Sequence, residues 1–194
     1  KDTVGRYRSS FAVNNFLASA YTEGPIGNKL SYVLSARVSP LTYEYRAVRK
    51  FLPHMLGGLD NFNAKVGDLY GKLHFQVNEK SALDASFLGS VDSYGYDTQG
   101  DSHDEMSWDN LLGIVRYRYD GEVTSFNLTA SANRYGSRQK QEKTYRGEVS
   151  HYSLRSSLME YGLKAGLQHR FLDERLVIGE GLNLRYGRFA PGQI

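Results

Sequence analysis

Apolar and polar residues alternate with a period of two along most of the chain. In residues 30–38, Leu30, Tyr32 and Leu34 alternate with Ser31, Val33 and Ser35. Comparable runs cover residues 69–77, 83–91, 111–119, 126–133, 161–171 and 176–186. A period of two puts successive side chains on opposite faces of a strand. With two shorter strands expected at 5–13 and 16–23, the pattern predicts about nine strands, most with one apolar and one polar face.

The connections between these runs alternate between short and long. Short connections are expected at 27–29, 78–80, 120–122 and 173–174, and long ones at 40–61, 93–107 and 135–150. Short turns on one rim and long loops on the other are typical of outer-membrane barrels. The sequence therefore predicts an all-β fold, an antiparallel transmembrane β-barrel segment.

Helix is predicted almost nowhere. Residues 45–59 have some helical spacing, but Pro53, Gly57 and Gly58 interrupt it, so we expect a short helical turn at most. No run of about 18 apolar residues marks a transmembrane helix. A closed barrel is then the only architecture by which such a chain can cross a membrane.

Composition and charge limit the possible folds, covalent sites and partners. The mean hydropathy of −0.51 is compatible with a barrel, because only every second strand residue faces lipid. The chain has no cysteine, so disulfides and thiolate sites are excluded. Its net charge of +3 is mild and no basic run occurs, so no nucleic-acid partner is expected.

The two faces have different predicted environments. Nine charged or histidine residues are expected to face a barrel lumen: Arg37, Lys72, His74, Asp84, Arg116, Arg118, Lys164, Arg170 and Arg185. Six apolar residues are expected to face outer-membrane lipid: Leu34, Leu73, Phe87, Val115, Leu128 and Leu167. A packed protein core would bury the charges at a cost of several kcal/mol each, whereas a wide lumen accepts them.

A soluble β-sandwich explains the alternation equally well. It explains the unequal connections and strands of roughly 10–12 residues less well, since soluble strands average about 5–6. The membrane barrel is the preferred interpretation.

The segment 20–37 carries a family resemblance. It contains Gly24-Pro25-Ile26, then Leu30-Ser31-Tyr32 and Arg37. This order resembles the early barrel of TonB-dependent outer-membrane transporters, especially those of the Bacteroidetes type. Residues 63–89 look like the next hairpin of such a barrel.

The resemblance implies a location and partners. Such transporters sit in the bacterial outer membrane, with a plug domain inside a barrel of about 22 strands. They import siderophores, cobalamin, glycans or peptides with energy from a TonB-type protein, and some act with a surface lipoprotein. This chain departs from the pattern, because it has no plug and ends without an aromatic-terminated strand. We therefore expect residues 1–194 to form a single barrel region, a fragment unable to close alone.

No catalytic or metal motif is evident, and neither enzymatic activity nor a cofactor is expected. None of the five histidines forms a zinc-type pair. His74 and Asp84 are predicted to face each other across the 78–80 hairpin. An acidic segment is a weak candidate for cation binding, although a solvated loop is the preferred interpretation: Asp97, Asp101, His103, Asp104 and Glu105.

Two alternatives stay open. A small self-contained outer-membrane barrel could act as an adhesin or structural anchor, and an even strand count and a terminal aromatic residue would favour it. An outer-membrane enzyme of the lipase or protease type would need a polar triad near one rim. The sequence contains no Gly-X-Ser-X-Gly element that would supply its nucleophile.

Overall fold

The computed structural model describes residues 5–55, 59–98, 102–145, 148–171 and 175–193. Nine strands form one sheet in chain order, each antiparallel to the next. Their bounds are β1 Arg8–Val13, β2 Ala18–Ile26, β3 Leu30–Val38, β4 Leu59–Asn78, β5 Ser81–Thr98, β6 Ser102–Asp120, β7 Thr124–Tyr145, β8 Glu148–Phe171 and β9 Leu176–Gln193. The predicted all-β class and the nine antiparallel strands are confirmed.

The sheet is open within the described residues. β1 pairs with β2 alone and β9 with β8 alone. The prediction that the first and last strands do not pair with each other is confirmed. Each outer strand therefore presents one row of backbone N–H and C=O groups that no strand in the described part of the chain satisfies.

The prediction of long loops is wrong for two of the three segments. Residues 93–107 and 135–150 lie mainly in strands, and the register runs on from Ser93 opposite Ser107 to Asp97 opposite His103. We call residues 93–98, 102–107, 138–145 and 148–155 the hairpin extensions. Polar side chains predominate on both faces, with only scattered apolar residues such as Met106 and Val149, so no apolar alternation reveals these strands.

The third segment, 40–61, contains more helix than predicted. Helix α1 spans Leu41–Phe51, and a 3₁₀ turn spans Pro53–Met55. Glu44 in the first turn and Arg49 and Lys50 in the last turn complement the helix dipole. The helix ends before Pro53, as expected, and Gly57 and Gly58 lie outside the described residues. Within the described part of the chain, no helix is long and apolar enough to cross a membrane.

Helix α1 covers a bare stretch of β4. β3 ends at Val38, opposite Gly67, so the earlier part of β4 has no strand neighbour on that side. The Thr42 hydroxyl donates to the Ala64 carbonyl at 2.6 Å and accepts from the Ala64 N–H at 2.8 Å. Tyr45 is buried, with its ring centroid 5.3 Å from that of Phe62. Hydrogen bonds and an aromatic contact therefore replace the missing ladder.

The two faces of the sheet differ in exposure as well as composition. On the apolar face, Leu73 is 48% exposed and Val115 is 49% exposed. On the polar face, His74 and Asp84 are only 4% and 8% exposed. The low exposure is local to this pair, because other residues of the polar face, such as Lys164, are exposed.

Candidate functional site: the polar face of the sheet

The strand register separates the two predicted residue sets. One face carries Arg37, Lys72, His74, Asp84, Arg116, Arg118, Lys164, Arg170 and Arg185. The opposite face carries Leu34, Leu73, Phe87, Val115, Leu128 and Leu167. No member of either set falls on the other face, because directly opposed residues share a face and the register is unbroken through this part of the sheet.

A row of polar residues crosses the centre of the polar face. Its members lie directly opposite one another on seven successive strands: Ser31, His74, Asp84, Arg116, Thr129, Lys164 and Asn183. Neighbouring strands are about 4.8 Å apart. The row therefore brings together groups that are far apart in sequence.

Asp84 is the acidic centre of a charged cluster with three partners. Its Oδ1 lies 2.8 Å from His74 Nδ1 and 3.5 Å from Lys72 Nζ, and its Oδ2 lies 3.1 Å from Arg118 NH2. The His74–Asp84 contact confirms the pairing predicted across the 78–80 hairpin. His74 comes from the directly opposed position on β4, and Arg118 reaches across from β6.

The His74 ring is buried, and its Nε2 has no hydrogen-bond partner among the described residues. A buried nitrogen without a partner costs about 1–3 kcal/mol. On the other side of the ring, the Asp84 carboxylate contacts His74 Nδ1 and fixes the orientation of the ring. The contacts that the structure describes around this ring are therefore those of a hydrogen-bonded ionic cluster centred on Asp84.

Two further cations on this face are also neutralised. Arg37 holds Asp68 through Nε, at 3.0 and 2.9 Å from the two carboxylate oxygens, and through NH2 at 2.9 Å. Near the opposite rim, Arg170 NH2 lies 3.2 Å from Asp120 Oδ1, and its NH1 donates to the Gly121 carbonyl at 3.1 Å.

Three cations are different, because no carboxylate in the described part of the chain lies within ion-pair distance of them. These are Arg116, Lys164 and Arg185, all exposed. Arg116 makes a hydrogen bond instead, from its Nε to Thr129 Oγ1 at 3.3 Å. Positive charge is therefore balanced around Asp84, Asp68 and Asp120, and it has no described carboxylate partner at the centre of the β6–β9 part of the polar face.

A shallow depression of about 760 Å³ lies on the apolar face. Small residues form its floor, including Gly71, Gly113 and Ala132, and Leu73 and Phe87 stand beside it. The edge of the Phe87 ring lies over Gly71, where an added Cβ would be 2.2 Å from it. Most of the lining is apolar, and polar side chains such as Lys72 and Ser131 contribute only a small part of it.

The hairpin extensions carry a second row of charges, on the face that is apolar lower down. Asp97, His103, Glu142 and His151 lie opposite one another on β5 to β8. His103 Nδ1 is 2.5 Å from Asp97 Oδ1, and His151 Nδ1 is 3.2 Å from Glu142 Oε1. Acidic and histidine side chains therefore alternate across four strands.

The weak prediction of a cation site in this region gains no support. Asp97 and His103 pair with each other, Glu105 contacts Lys140 at 3.3 Å, and Asp104 lies on the opposite face. Asp101 is outside the described residues. No group of three or more potential ligands suited to a metal ion occurs in the part of the chain that the structure describes.

The Asp97–His103 contact shifts the protonation of both groups. The hydrogen bond from His103, aided by one from Asn61 Nδ2 at 2.7 Å, holds the pKa of Asp97 below its usual value. The same hydrogen bond raises the pKa of His103, with further help from the nearby charges of Glu142 and Glu105. Both shifts favour the charged pair.

The sequence did not predict the hydrogen bond from Arg116 to Thr129 or the His151–Glu142 ion pair. Thr129 stands directly opposite Arg116, and the strand alternation already placed both on the polar face. Adding the register of the β6–β7 turn would have revealed the pairing. His151 and Glu142 were hidden because their segment was interpreted as a loop, where no register could be assigned.

Comparison of the chain with protein-family models, with curated proteins and with solved structures finds no match in any of the three.

Proposed function

We propose that this chain forms nine consecutive strands in the wall of a bacterial outer-membrane transporter barrel, with its apolar face toward lipid and its polar face toward the lumen. One observation carries the proposal. The sheet leaves a mainly apolar face uncovered, while its other face buries His74 and Asp84. A soluble protein has the reverse arrangement, with apolar side chains inside.

The height of the apolar face supports a membrane setting. On β5 it extends from Leu83 to Val91, which is about 27 Å at about 3.4 Å per residue. With the usual barrel tilt of about 35–45°, this corresponds to about 20 Å across the membrane, close to the roughly 25 Å apolar band of outer-membrane barrels. Above Val91 the same face becomes polar, beginning with Ser93.

The soluble sandwich is the less favoured alternative. It requires a second layer over the apolar face, and the described chain supplies only α1, which contacts β4. Without that layer, six long strands would leave side chains such as Leu73, Val115 and Leu184 about half exposed to water. Monomeric soluble proteins rarely carry apolar patches of that extent.

The open edges support a wall that is completed by other strands. In lipid, each unsatisfied backbone group costs several kcal/mol. In a nine-stranded antiparallel sheet, β1 and β9 run in the same direction. Antiparallel closure therefore needs an odd number of additional strands between them, and two copies of this sheet joined around a membrane-normal axis would pair in parallel. This favours the larger barrel over the self-contained adhesin or anchor.

The resemblance of residues 20–37 to TonB-dependent transporters, together with this geometry, supports a transporter rather than another kind of outer-membrane barrel. In that proposal a plug domain fills the lumen, a TonB-type protein supplies energy, and the hairpin extensions reach out from the cell. The imported molecule belongs to the classes that such transporters handle, namely siderophores, cobalamin, glycans or peptides. A surface lipoprotein would meet the barrel at the extension rim.

A labelling experiment in cells tests the orientation. Glu105→Cys lies in a hairpin extension and Asn28→Cys in the turn between β2 and β3, at the opposite rim. The 194 residues contain no cysteine of their own. A membrane-impermeant maleimide should label Glu105→Cys in intact cells and Asn28→Cys only after the outer membrane is permeabilised. Equal labelling of both, or recovery of the full-length protein outside the outer-membrane fraction, contradicts the proposal.

A second arm separates a transporter from an anchor. Ser131→Cys lies on the polar face near the middle of β7. In an energised transporter, its labelling rate should change when an uncoupler collapses the energy supply, because the plug moves. The rate for Glu105→Cys should not change. An unchanged rate at Ser131→Cys in a protein correctly placed in the outer membrane would favour the anchor.

A further inference from the structure

In one region of the polar face, three cations have no carboxylate partner among the residues that the structure describes. Resting on the function proposed above, we propose that Arg116, Lys164 and Arg185 bind an oxyanionic solute with two or more carboxylate, phosphate or sulfate groups. In the neighbouring region, Asp84 already has three partners and so does not neutralise Arg116, although the two lie directly opposite each other.

The three cations form a compact triangle in the sheet. Arg116 and Lys164 belong to the same row and are separated only by Thr129 on β7, so their backbones are about 10 Å apart at about 4.8 Å per strand. Arg185 is a diagonal neighbour of Lys164, because it pairs with Gly162 two residues away on β8. Diagonal neighbours are about 7–8 Å apart. Side chains of this length can converge on one multiply charged solute.

The two arginines of β6, Arg116 and Arg118, have different partners. Arg118 turns toward β5 and reaches Asp84 at 3.1 Å. Arg116 turns toward β7, where its Nε donates to Thr129 Oγ1 at 3.3 Å. Its remaining guanidinium donors are thereby held on the side of Lys164. Arginine presents these donors in a planar fork that matches a carboxylate or phosphate group.

The surface between the cations has small and neutral polar residues. Gly162 and Gly166 flank Lys164 on the polar face of β8. A Cβ at Gly162 would lie 2.6 Å from Ser131 Oγ, and one at Gly166 would lie 2.8 Å from Asn127 Nδ2. The glycines let these polar groups lie against β8. A solute held by the cations would therefore meet hydroxyl and amide groups rather than bulky side chains.

The charge pattern selects an anion over other solutes. Glu160 is the acidic residue nearest to Arg185 by register, two positions from Gly162 on β8, and it makes no ion pair with it. A neutral sugar would gain no charge–charge attraction from the three cations, and a cationic solute would be repelled. Two or more oxyanion groups are needed because the cations lie too far apart for one group to contact all three.

Binding to the full-length protein tests the proposal directly. The probes are citrate and pyrophosphate, measured by calorimetry on protein purified from outer membranes, with uncharged triethyl citrate as the neutral analogue. The test variant combines R116Q, K164Q and R185Q. The matched control combines R138Q, K140Q and R155Q, which removes three cations from the hairpin extensions.

We expect at least one of the anionic probes to bind, and the test variant to lose about tenfold or more in affinity. The control should stay within about twofold, and triethyl citrate should not bind. Binding should weaken as salt rises, as it does for exposed charges. Equal losses in both variants, or no binding of either anion to wild type, would overturn the proposal.

Zero-length carbodiimide cross-linking examines the main competitor, an acidic segment of the same polypeptide. Mass spectrometry that finds Lys164 joined to a carboxylate of the protein itself in wild type would overturn the solute site. The position of the protein in the outer membrane, established by the Glu105→Cys and Asn28→Cys labelling, is independent of these results. A correctly placed barrel without anion binding refutes only this inference, whereas a misplaced protein refutes the proposed function.

Discussion

The middle of the sheet and the hairpin extensions share one backbone ladder and differ in nearly everything else. On β5, the face that carries Leu83 to Val91 is apolar, and six residues later the same face carries Asp97. The ladder from β5 to β6 continues without a register shift across this change. Strand formation is therefore independent of the side-chain pattern here, and the pattern reports the surroundings of each part.

The two regions also stabilise themselves differently. The middle has a charged cluster on one face that is centred on the buried residues Asp84 and His74. The extensions hold their charges as exposed pairs such as Asp97–His103 and Glu105–Lys140. In our account the middle meets lipid on its apolar side and the extensions meet water on both sides. Paired substitutions, one in each region, measure this difference.

The largest effect should come from placing a charge on the apolar face. Leu73 in the middle and Val149 in an extension are nearly equally exposed, at 48% and 55%. Leu73→Arg should destabilise the full-length protein in lipid vesicles by about 2–4 kcal/mol, the cost for arginine at the bilayer midplane. Val149→Arg should cost less than about 0.5 kcal/mol. Denaturant unfolding measures both, and equal small effects would show that Leu73 faces water.

The next largest effect should come from removing the acidic centre of the polar face. Asp84→Asn removes the negative charge that pairs with Lys72 and Arg118 beside the buried His74. We expect a loss of about 2 kcal/mol, less than the 3–5 for a fully buried pair because Lys72 and Arg118 are partly exposed. Glu105→Gln, in the exposed pair with Lys140, should cost under about 0.5 kcal/mol. A loss at Asp84 no larger than that at Glu105 would remove the distinction between the two regions.

A smaller effect of opposite signs is expected at two glycines in the middle. At Gly71 an added Cβ would lie 2.2 Å from the Phe87 ring, while at Gly113 nothing lies within 4 Å. Gly71→Ala should cost about 1 kcal/mol, because Phe87 must leave its preferred rotamer. Gly113→Ala should stabilise the strand by about 0.5 kcal/mol, since glycine is entropically unfavourable there. Urea unfolding of the two variants measures the difference, and matching changes would mean that Phe87 does not depend on Gly71.

The smallest effect should be a pH dependence confined to the extensions. His103 faces Asp97 on β5 and Glu142 on β7, with Glu105 and Lys140 nearby. Because the folded pKa of His103 is raised, its contribution is full below about 6.5 and is lost as the pH rises through the raised value. Because the pKa of Asp97 is lowered, its contribution is full above about 3.9 and is lost as the pH falls through the lowered value.

Amide hydrogen exchange in the extensions, corrected for intrinsic rates, should therefore be slowest between about pH 4 and 6.5. The His103→Gln variant should lose the increase above that window, while exchange in the middle of the sheet stays unchanged. A rise in exchange at high pH that persists in His103→Gln would assign the effect to another group.

The sequence predicted the middle of the sheet well, for a physical reason. Residues such as Leu73 and Lys72 meet different surroundings on the two faces, and this difference leaves a period of two in the sequence. The same alternation with a tight 78–80 turn was enough to pair His74 with Asp84.

The extensions and α1 could not be predicted in the same way. Where both faces are polar, as around Glu142 and His151, a strand looks like a loop. Helix α1 forms against the bare edge of β4 through Thr42, a tertiary contact that local spacing does not contain. The sequence places Arg116, Lys164 and Arg185 on the polar face, but it does not show which cations pair with a carboxylate. That pairing depends on the strand register and on the side-chain rotamers.

We propose that the apolar face of the middle contacts lipid, whereas the same face of the hairpin extensions, which carries Asp97, contacts water. A spin label placed at each position from 83 to 97 on β5 of the full-length protein, in lipid vesicles, tests it most directly. We predict high oxygen accessibility at 83, 85, 87, 89 and 91, with low values at the positions between them, and loss of this alternation from 93 onward in favour of a water-soluble reagent. Equal access of the water-soluble reagent to both faces throughout 83–91 would contradict the account.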